Sequence, residues 1–281
     1  MAWIDPSAAI KGVSLAKSAI DATSPSVLSF VRRSANLILK GRLIVPVLGA
    51  GGTGKTTISK LFVPNVKTDI PKPYSESWHV EDVYLKNHIP GRILVAPGQV
   101  KRIPRTWSEP IRAVLNGKSP LVINVVANGY HSFDLPSFRE HKCFHPGDDP
   151  DDFMEKYLRL RLELETRLLK QFLASIRSLC FPIHMITVVN KQDLWWNRGR
   201  KVRTEYSEGE YGRLIRRFSR TVGATIFQHD FMPMSSVMSN LQTTTGELLA
   251  EMNHGYDYFA HQLHRDVFLS RVQGILEERL K

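Results

Sequence analysis

Residues 43–56 read LIVPVLGAGGTGKT. The apolar run from Leu43 to Leu48 reads as a strand, although Pro46 inside it donates no ladder hydrogen bond. The run passes directly into Gly49-Ala50-Gly51-Gly52-Thr53-Gly54-Lys55-Thr56, which fits G-x-x-x-x-G-K-[ST] in full. Thr57 and the helix-like stretch ISKLF follow. A strand, this loop and a helix together are the context a phosphate-binding loop requires. The glycines let backbone N–H groups converge on phosphate oxygens. The helix N-terminus adds partial positive charge. Lys55 is placed to bridge β- and γ-phosphates, and the Thr56 hydroxyl to ligate magnesium. The loop implies a nucleoside triphosphate and leaves the base open.

The rest of the chain alternates apolar strands with helices. Strands are expected at Trp78–Lys86, Ile93–Val95, Leu121–Asn128, His184–Val189 and Phe231–Ser235. The first of these forms a hairpin with the next through Asn87–Arg92. Helices are expected at Ser108–Asn116, Asp151–Leu179 and Gly212–Arg220, and across most of Leu248–Leu280 with a break at Gly255. Residues 194–210 read as a polar connection, and 129–152 as a long inserted loop suited to a protein partner. Before the first strand, Ala9, Val13, Ala16 and Ile20 recur at helical spacing. Residues 1–40 therefore read as a helical extension, whose helices pack on the domain or lie on a membrane or a protein partner, and 41–281 as one domain. The alternation predicts an α/β fold with a mostly parallel sheet, whose ligands sit at the carboxyl ends of the strands.

A second motif stands at such an end. Asn190-Lys191-Gln192-Asp193 closes the strand HMITVV. A carboxylate at Asp193 accepts from both the ring N–H and the exocyclic amine of guanine. Adenine lacks that donor pair and leaves a buried carboxylate unpaired, which gives strong rejection.

With N-K-x-D downstream of a phosphate loop, the chain resembles the Ras-like P-loop GTPase superfamily over roughly residues 40–280. The resemblance implies that Asn190 braces the phosphate loop and that the stem of Lys191 covers the base plane. It places Ser235 and Ser236, in FMPMSSV, at the last base-contacting turn, with Val237 where a lysine is usual; an ordinary turn reads equally well there. It also aligns Val95-Ala96-Pro97-Gly98-Gln99 with the family's D-x-x-G-Q. Bacterial MglA-like polarity GTPases carry D-T-P-G-Q, so the Asp and Thr are the departures here. Gly98 would offer its N–H to the γ-phosphate and Gln99 would orient the attacking water. Val95 accepts no hydrogen bond, so magnesium is expected to bind weakly unless another carboxylate substitutes. Val126-Ala127-Asn128-Gly129 is a second, less favoured match. For the first switch, Thr68, Ser75 and Ser77 are available; Ser75 lies nearest the family spacing as a magnesium ligand, and Asp69 is a substitute carboxylate.

The resemblance implies slow GTP hydrolysis by a molecular switch, with GTP/GDP and Mg2+ as ligands. A GTP-binding scaffold with little turnover is the alternative, and an ATP-dependent phosphotransferase sharing only the phosphate loop is a further one.

Composition sets outer bounds. The chain has 281 residues, 42% hydrophobic and 23% charged, with net charge +11. That suits a globular protein large enough for a substantial core. Phosphate ligands, nucleic acid and anionic membrane surfaces all fit the charge. The basic stretch 197–204 with Arg213, Arg216, Arg217 and Arg220 is a candidate for the last two, against a solvated face. His141-Lys142-Cys143-Phe144-His145 and nearby His131 are metal-ligand types at no standard zinc spacing. The two cysteines, Cys143 and Cys180, make no disulfide framework. With no apolar run of membrane-span length and no signal-like N-terminus, a cytoplasmic protein is expected, possible peripheral membrane contact included.

Overall fold

The computed structural model describes residues 43–62, 81–84, 91–98 and 106–280. The expected helical extension at 1–40 lies outside them. So do Thr68, Asp69, Ser75, Ser77 and Gln99.

Strand β1, Leu43–Leu48, is buried along its whole length. It pairs in parallel with β3, Gly91–Val95, on one side and with β4, Leu121–Val126, on the other. Pro46 is tolerated for a local reason. The Val47 carbonyl accepts from Ala96 on the β3 side, whereas the Ile44 N–H turns the other way, to the Lys118 carbonyl. Alternation puts Pro46 on the β4 side, where pairing starts only at Val47. The missing N–H thus falls where there is no ladder to break.

The sheet has six strands in the order β2-β3-β1-β4-β5-β6. Here β2 is Glu81–Tyr84, β5 is Ile183–Val189 and β6 is Phe227–Pro233. Only β2 runs antiparallel, paired with β3. Strands β4 and β5 are buried at every position, as strands covered on both faces must be.

Helices cover both faces. On one, α1 (Lys55–Lys60) and α7 (Tyr258–Leu280) bury Ile58, Phe268, Val272 and Ile275 against Val45, Val47 and Val95. On the other lie α2 (Ser108–Leu115), α3 (Pro150–Ser175), α5 (Gly199–Ser207) and α6 (Glu210–Val222). The short α4, Gln192–Trp195, opens directly from β5. Helix α3 starts where its sequence says it should. Asp149 accepts from the Asp151 and Asp152 N–H groups, Pro150 takes the first turn, and two carboxylates follow at the positive end.

Three expectations need correction. Residues 199–207 form a helix rather than a polar connection, because Val202 and Tyr206, one turn apart, are enough to anchor it. The last sheet strand starts at Phe227, not Phe231. Its polar residues have partners in the sheet: His229 meets Thr187 at 2.9 Å and Asp230 meets His184 at 2.9 Å. Finally, the stretch read as helical from Leu248 begins with a small antiparallel hairpin. It pairs β7 (Leu241–Gln242) with β8 (Leu248–Ala250), and α7 starts only at Tyr258.

The five parallel strands, the single antiparallel β2, the strand order and a phosphate loop between β1 and α1 make this a Ras-like P-loop fold, as the motifs predict. All the parallel strands end at one edge, so the loops after β1, β3, β4, β5 and β6 converge there.

Candidate functional site

The phosphate loop is shaped by what surrounds its glycines. Gly49, Gly52 and Gly54 have φ of 132°, 78° and 91°. A Cβ on Gly49 would lie 2.1 Å from the Val125 carbonyl oxygen, and one on Gly54 would lie 2.3 Å from the Asn190 amide. No other residue fits either position. The Lys55 ammonium donates to the Ala50 carbonyl at 2.7 Å, and the Thr53 hydroxyl donates to the same oxygen at 3.0 Å. These contacts fold the loop back over Ala50 and hold the lysine at its mouth. Thr56 and Thr57 are half-buried at the start of α1.

The end of β3 packs on this loop. The Gly51 N–H donates to the Gly98 carbonyl at 3.1 Å. A Cβ on Gly98 would sit 2.5 Å from Gly51 N, so glycine is required for the approach. Val95 is 1% exposed and packs in the core with Val47 and Ile58. The alternative match, Val126–Gly129, closes β4 instead, and there the Ala127 and Gly129 N–H groups turn to Glu165.

The loop after β5 joins the two motifs. Asn190 is fully buried, and its amide donates to the Thr53 carbonyl at 2.7 Å and to the Ser236 hydroxyl at 3.1 Å. Its side-chain oxygen accepts from the Ser236 N–H at 2.9 Å. One side chain thereby ties phosphate loop, β5 and β6 together. Lys191 takes the left-handed conformation, φ 57°, and its ammonium donates to the Ser132 hydroxyl at 3.2 Å. Burial of that end pulls the ammonium down to about 8, against an opposing pull from Asp193.

Asp193 is 1% exposed. One carboxylate oxygen accepts from the Ser235 hydroxyl and the other from the Ser239 N–H at 2.9 Å. Burial raises this carboxyl, and the Ser235 and Ser239 hydrogen bonds offset part of the rise. Each oxygen retains further acceptor capacity. The carboxylate is therefore held in place with acceptor capacity to spare.

Ser239 was not singled out from sequence, and neither were Ser132 and Glu165. Ser239 contributes a backbone N–H, which no residue type announces. The other two are a lone serine in a loop and one acid among several on a charged helix.

Elsewhere the chemistry is plainer. Among the described residues, no group of three or more His, Cys, Asp or Glu is placed to hold a metal ion. His131 instead binds Glu165 at 2.8 Å, and His141 packs among Phe133, Phe153 and Tyr157. Both cysteines are free thiols. Arg200, Lys201, Arg203, Arg213, Arg216, Arg217 and Arg220 are exposed. No described helix is long and apolar enough to cross a membrane.

No family model matches the chain, and no curated protein matches it. Solved structures do. The mammalian SRP receptor aligns at 14% identity, over 69% of this chain and 91% of that one, with a TM-score of 0.43. The Arl6 BBS3 small GTPase of Trypanosoma brucei, with bound nucleotide analogue GppNp, aligns at 14% identity over 69% and 87%, with a TM-score of 0.38. The GDP form of the signal recognition particle receptor SRb of Chaetomium thermophilum aligns at 16% identity over 69% and 89%, with a TM-score of 0.36. The fold itself is carried by this chain's own strand order and phosphate loop.

Proposed function

We propose that this chain binds guanine nucleotide and hydrolyses GTP slowly, as a molecular switch. The observation that carries the reading is the hydrogen bond from Asn190 to Thr53, which couples a buried carboxylate at Asp193 to the phosphate loop. A base reader fixed to a phosphate cradle is what nucleotide selection needs. Asp193 would take both donors of guanine, with Ser235 and Ser239 holding it and Ser236 holding Asn190.

Gly49 to Thr57 would wrap the phosphates, with Lys55 against the transferring group and Gly98 alongside. Gln99 would orient the attacking water, and Ser75 would close the first switch. Magnesium fits in a limited way. Thr56 would hold it with the nucleotide's own oxygens and waters, since this ion keeps much of its hydration. Bound there, it would neutralise developing phosphate charge. The domain would run from about residue 41, preceded by the 1–40 extension.

The second reading, a GTP-binding scaffold with little turnover, is favoured by Val95 alone. An apolar side chain stands where the family's magnesium-steadying Asp belongs.

Single-turnover hydrolysis with protein in excess over GTP, in magnesium, tests the choice. Phosphate release by wild type that Lys55→Ala abolishes supports the enzyme. Tight GTP binding without release supports the scaffold. An absence of guanine nucleotide binding defeats both.

A further inference from the structure

The first residues after β4 contact the phosphate loop directly. A carboxylate on α3 fixes their path. Glu165 is 2% exposed, and one of its oxygens accepts from the Ala127 N–H at 2.9 Å, the Gly129 N–H at 3.3 Å and the His131 ring at 2.8 Å. Its other oxygen accepts from the Tyr206 hydroxyl, which itself accepts from the Asn128 N–H at 3.1 Å. A buried carboxylate is costly unless its lone pairs are met, so these donors keep the turn in one conformation. Burial lowers the pKa of His131, which favours a neutral ring, and facing a carboxylate such a ring donates through Nε2–H. Asn128 and Gly129 turn the chain with φ of 48° and 80°.

This path delivers Ser132 to the site. Its N–H donates to the Gly52 carbonyl at 2.9 Å, and its hydroxyl donates to the same oxygen at 3.3 Å. The hydroxyl also accepts from the Lys191 ammonium. A trans peptide points its C=O and N–H in opposite directions. Holding the Gly52 carbonyl toward Ser132 therefore turns the Thr53 N–H away from Ser132. Lys191, whose stem is assigned to the base, is linked through the same hydroxyl to the phosphate loop.

We infer that Ser132 is a positioning residue of the nucleotide site, linking the base-covering Lys191 to the Gly52 carbonyl through one hydroxyl. The inference rests on the guanine-nucleotide reading above. It gives the start of the 129–152 loop a task within the site.

The test is release of a fluorescent GDP analogue from the full chain. Ser132→Ala removes a hydrogen bond to a charged group and is expected to speed release about tenfold. Ser132→Thr keeps the hydroxyl and should restore near wild-type release. Lys191→Met keeps an apolar stem, so in the Ser132→Ala background it should add little, whereas independent effects would multiply. Nucleotide-free Ser132→Thr should melt as wild type does. Wild-type release from Ser132→Ala, multiplying effects, or a melting loss that Ser132→Thr shares would overturn the positioning role while leaving the functional reading intact. A wild-type chain that holds no GDP analogue would remove both.

Discussion

The end of β5 and the end of β3, the proposed base and switch sides of this sheet edge, differ in what happens to polar groups. On the base side, Asn190 and Asp193 are buried and bonded to Thr53, Ser235, Ser236 and Ser239. On the switch side, Val95 sits at the end of β3 as an ordinary core residue. The difference follows from when each group is needed. Asn190 and Asp193 hold three loops together, so on the proposed reading fold stability and recognition share the same hydrogen bonds. An acid at position 95 would be satisfied chiefly by a magnesium ion and its waters. Without them it would be a buried, poorly paired charge. A valine there packs in the core with Val47 and Ile58.

The largest expected effect breaks the phosphate cradle common to both sides. Lys55→Ala should weaken guanine nucleotide binding by about 100-fold or more, roughly 3 kcal/mol, through loss of a charge-assisted contact. Isothermal titration of the nucleotide-free protein checks this. Asp193→Asn comes next. An amide nitrogen would face either Ser235 or Ser239, two donors that need an acceptor. Stability should fall by about 1–3 kcal/mol, and the preference for guanine over adenine should collapse. Denaturant melts and a two-nucleotide competition read the two parts.

Val95→Asp sharpens the comparison from the other side. The nucleotide-free protein should lose about 2 kcal/mol or more from burying a carboxylate in the core. Binding of GTP should become more dependent on magnesium. A magnesium titration unchanged from wild type would show that residues 95–98 are not the second switch.

The smallest effect is in the pH profile. Burial pushes His229, bonded to Thr187, down to about 4 from its ordinary 6.5. The unfolded chain takes up that proton first, so the contribution is complete above pH 6.5 and is lost as pH falls towards 4. His141, also pushed down to about 4 by burial, acts in the same direction. Lys191 adds a second rise in stability at alkaline pH. Its ammonium is depressed to about 8 from 10.5, so its burden on the fold lifts as pH rises between those values. Thermal melts across pH 4 to 10 should show both slopes, and His229→Asn should flatten the acid one.

What the sequence made legible was what local pattern encodes. The phosphate loop, the Asn190–Asp193 turn, β1, β4 and β5 all announce themselves through glycine spacing or unbroken apolar runs. What it hid depends on partners distant in sequence. The start of β6 carries Gln228, His229 and Asp230, which look like a loop until His184 and Thr187 are set beside them. Helix α5 looks like a basic linker because two side chains supply its buried anchor. Ser132 and Ser239 reach the site through a loop path and a backbone N–H, and neither leaves a mark in composition.

The central claim is that Asp193, tied through Asn190's loop to the phosphate cradle, selects guanine. The most direct measurement is displacement of a fluorescent guanine nucleotide from the wild-type chain by unlabelled GTP and by ATP. ATP should need at least about 100-fold higher concentration, since adenine leaves a buried carboxylate without its donors. Equal displacement by the two nucleotides would contradict it.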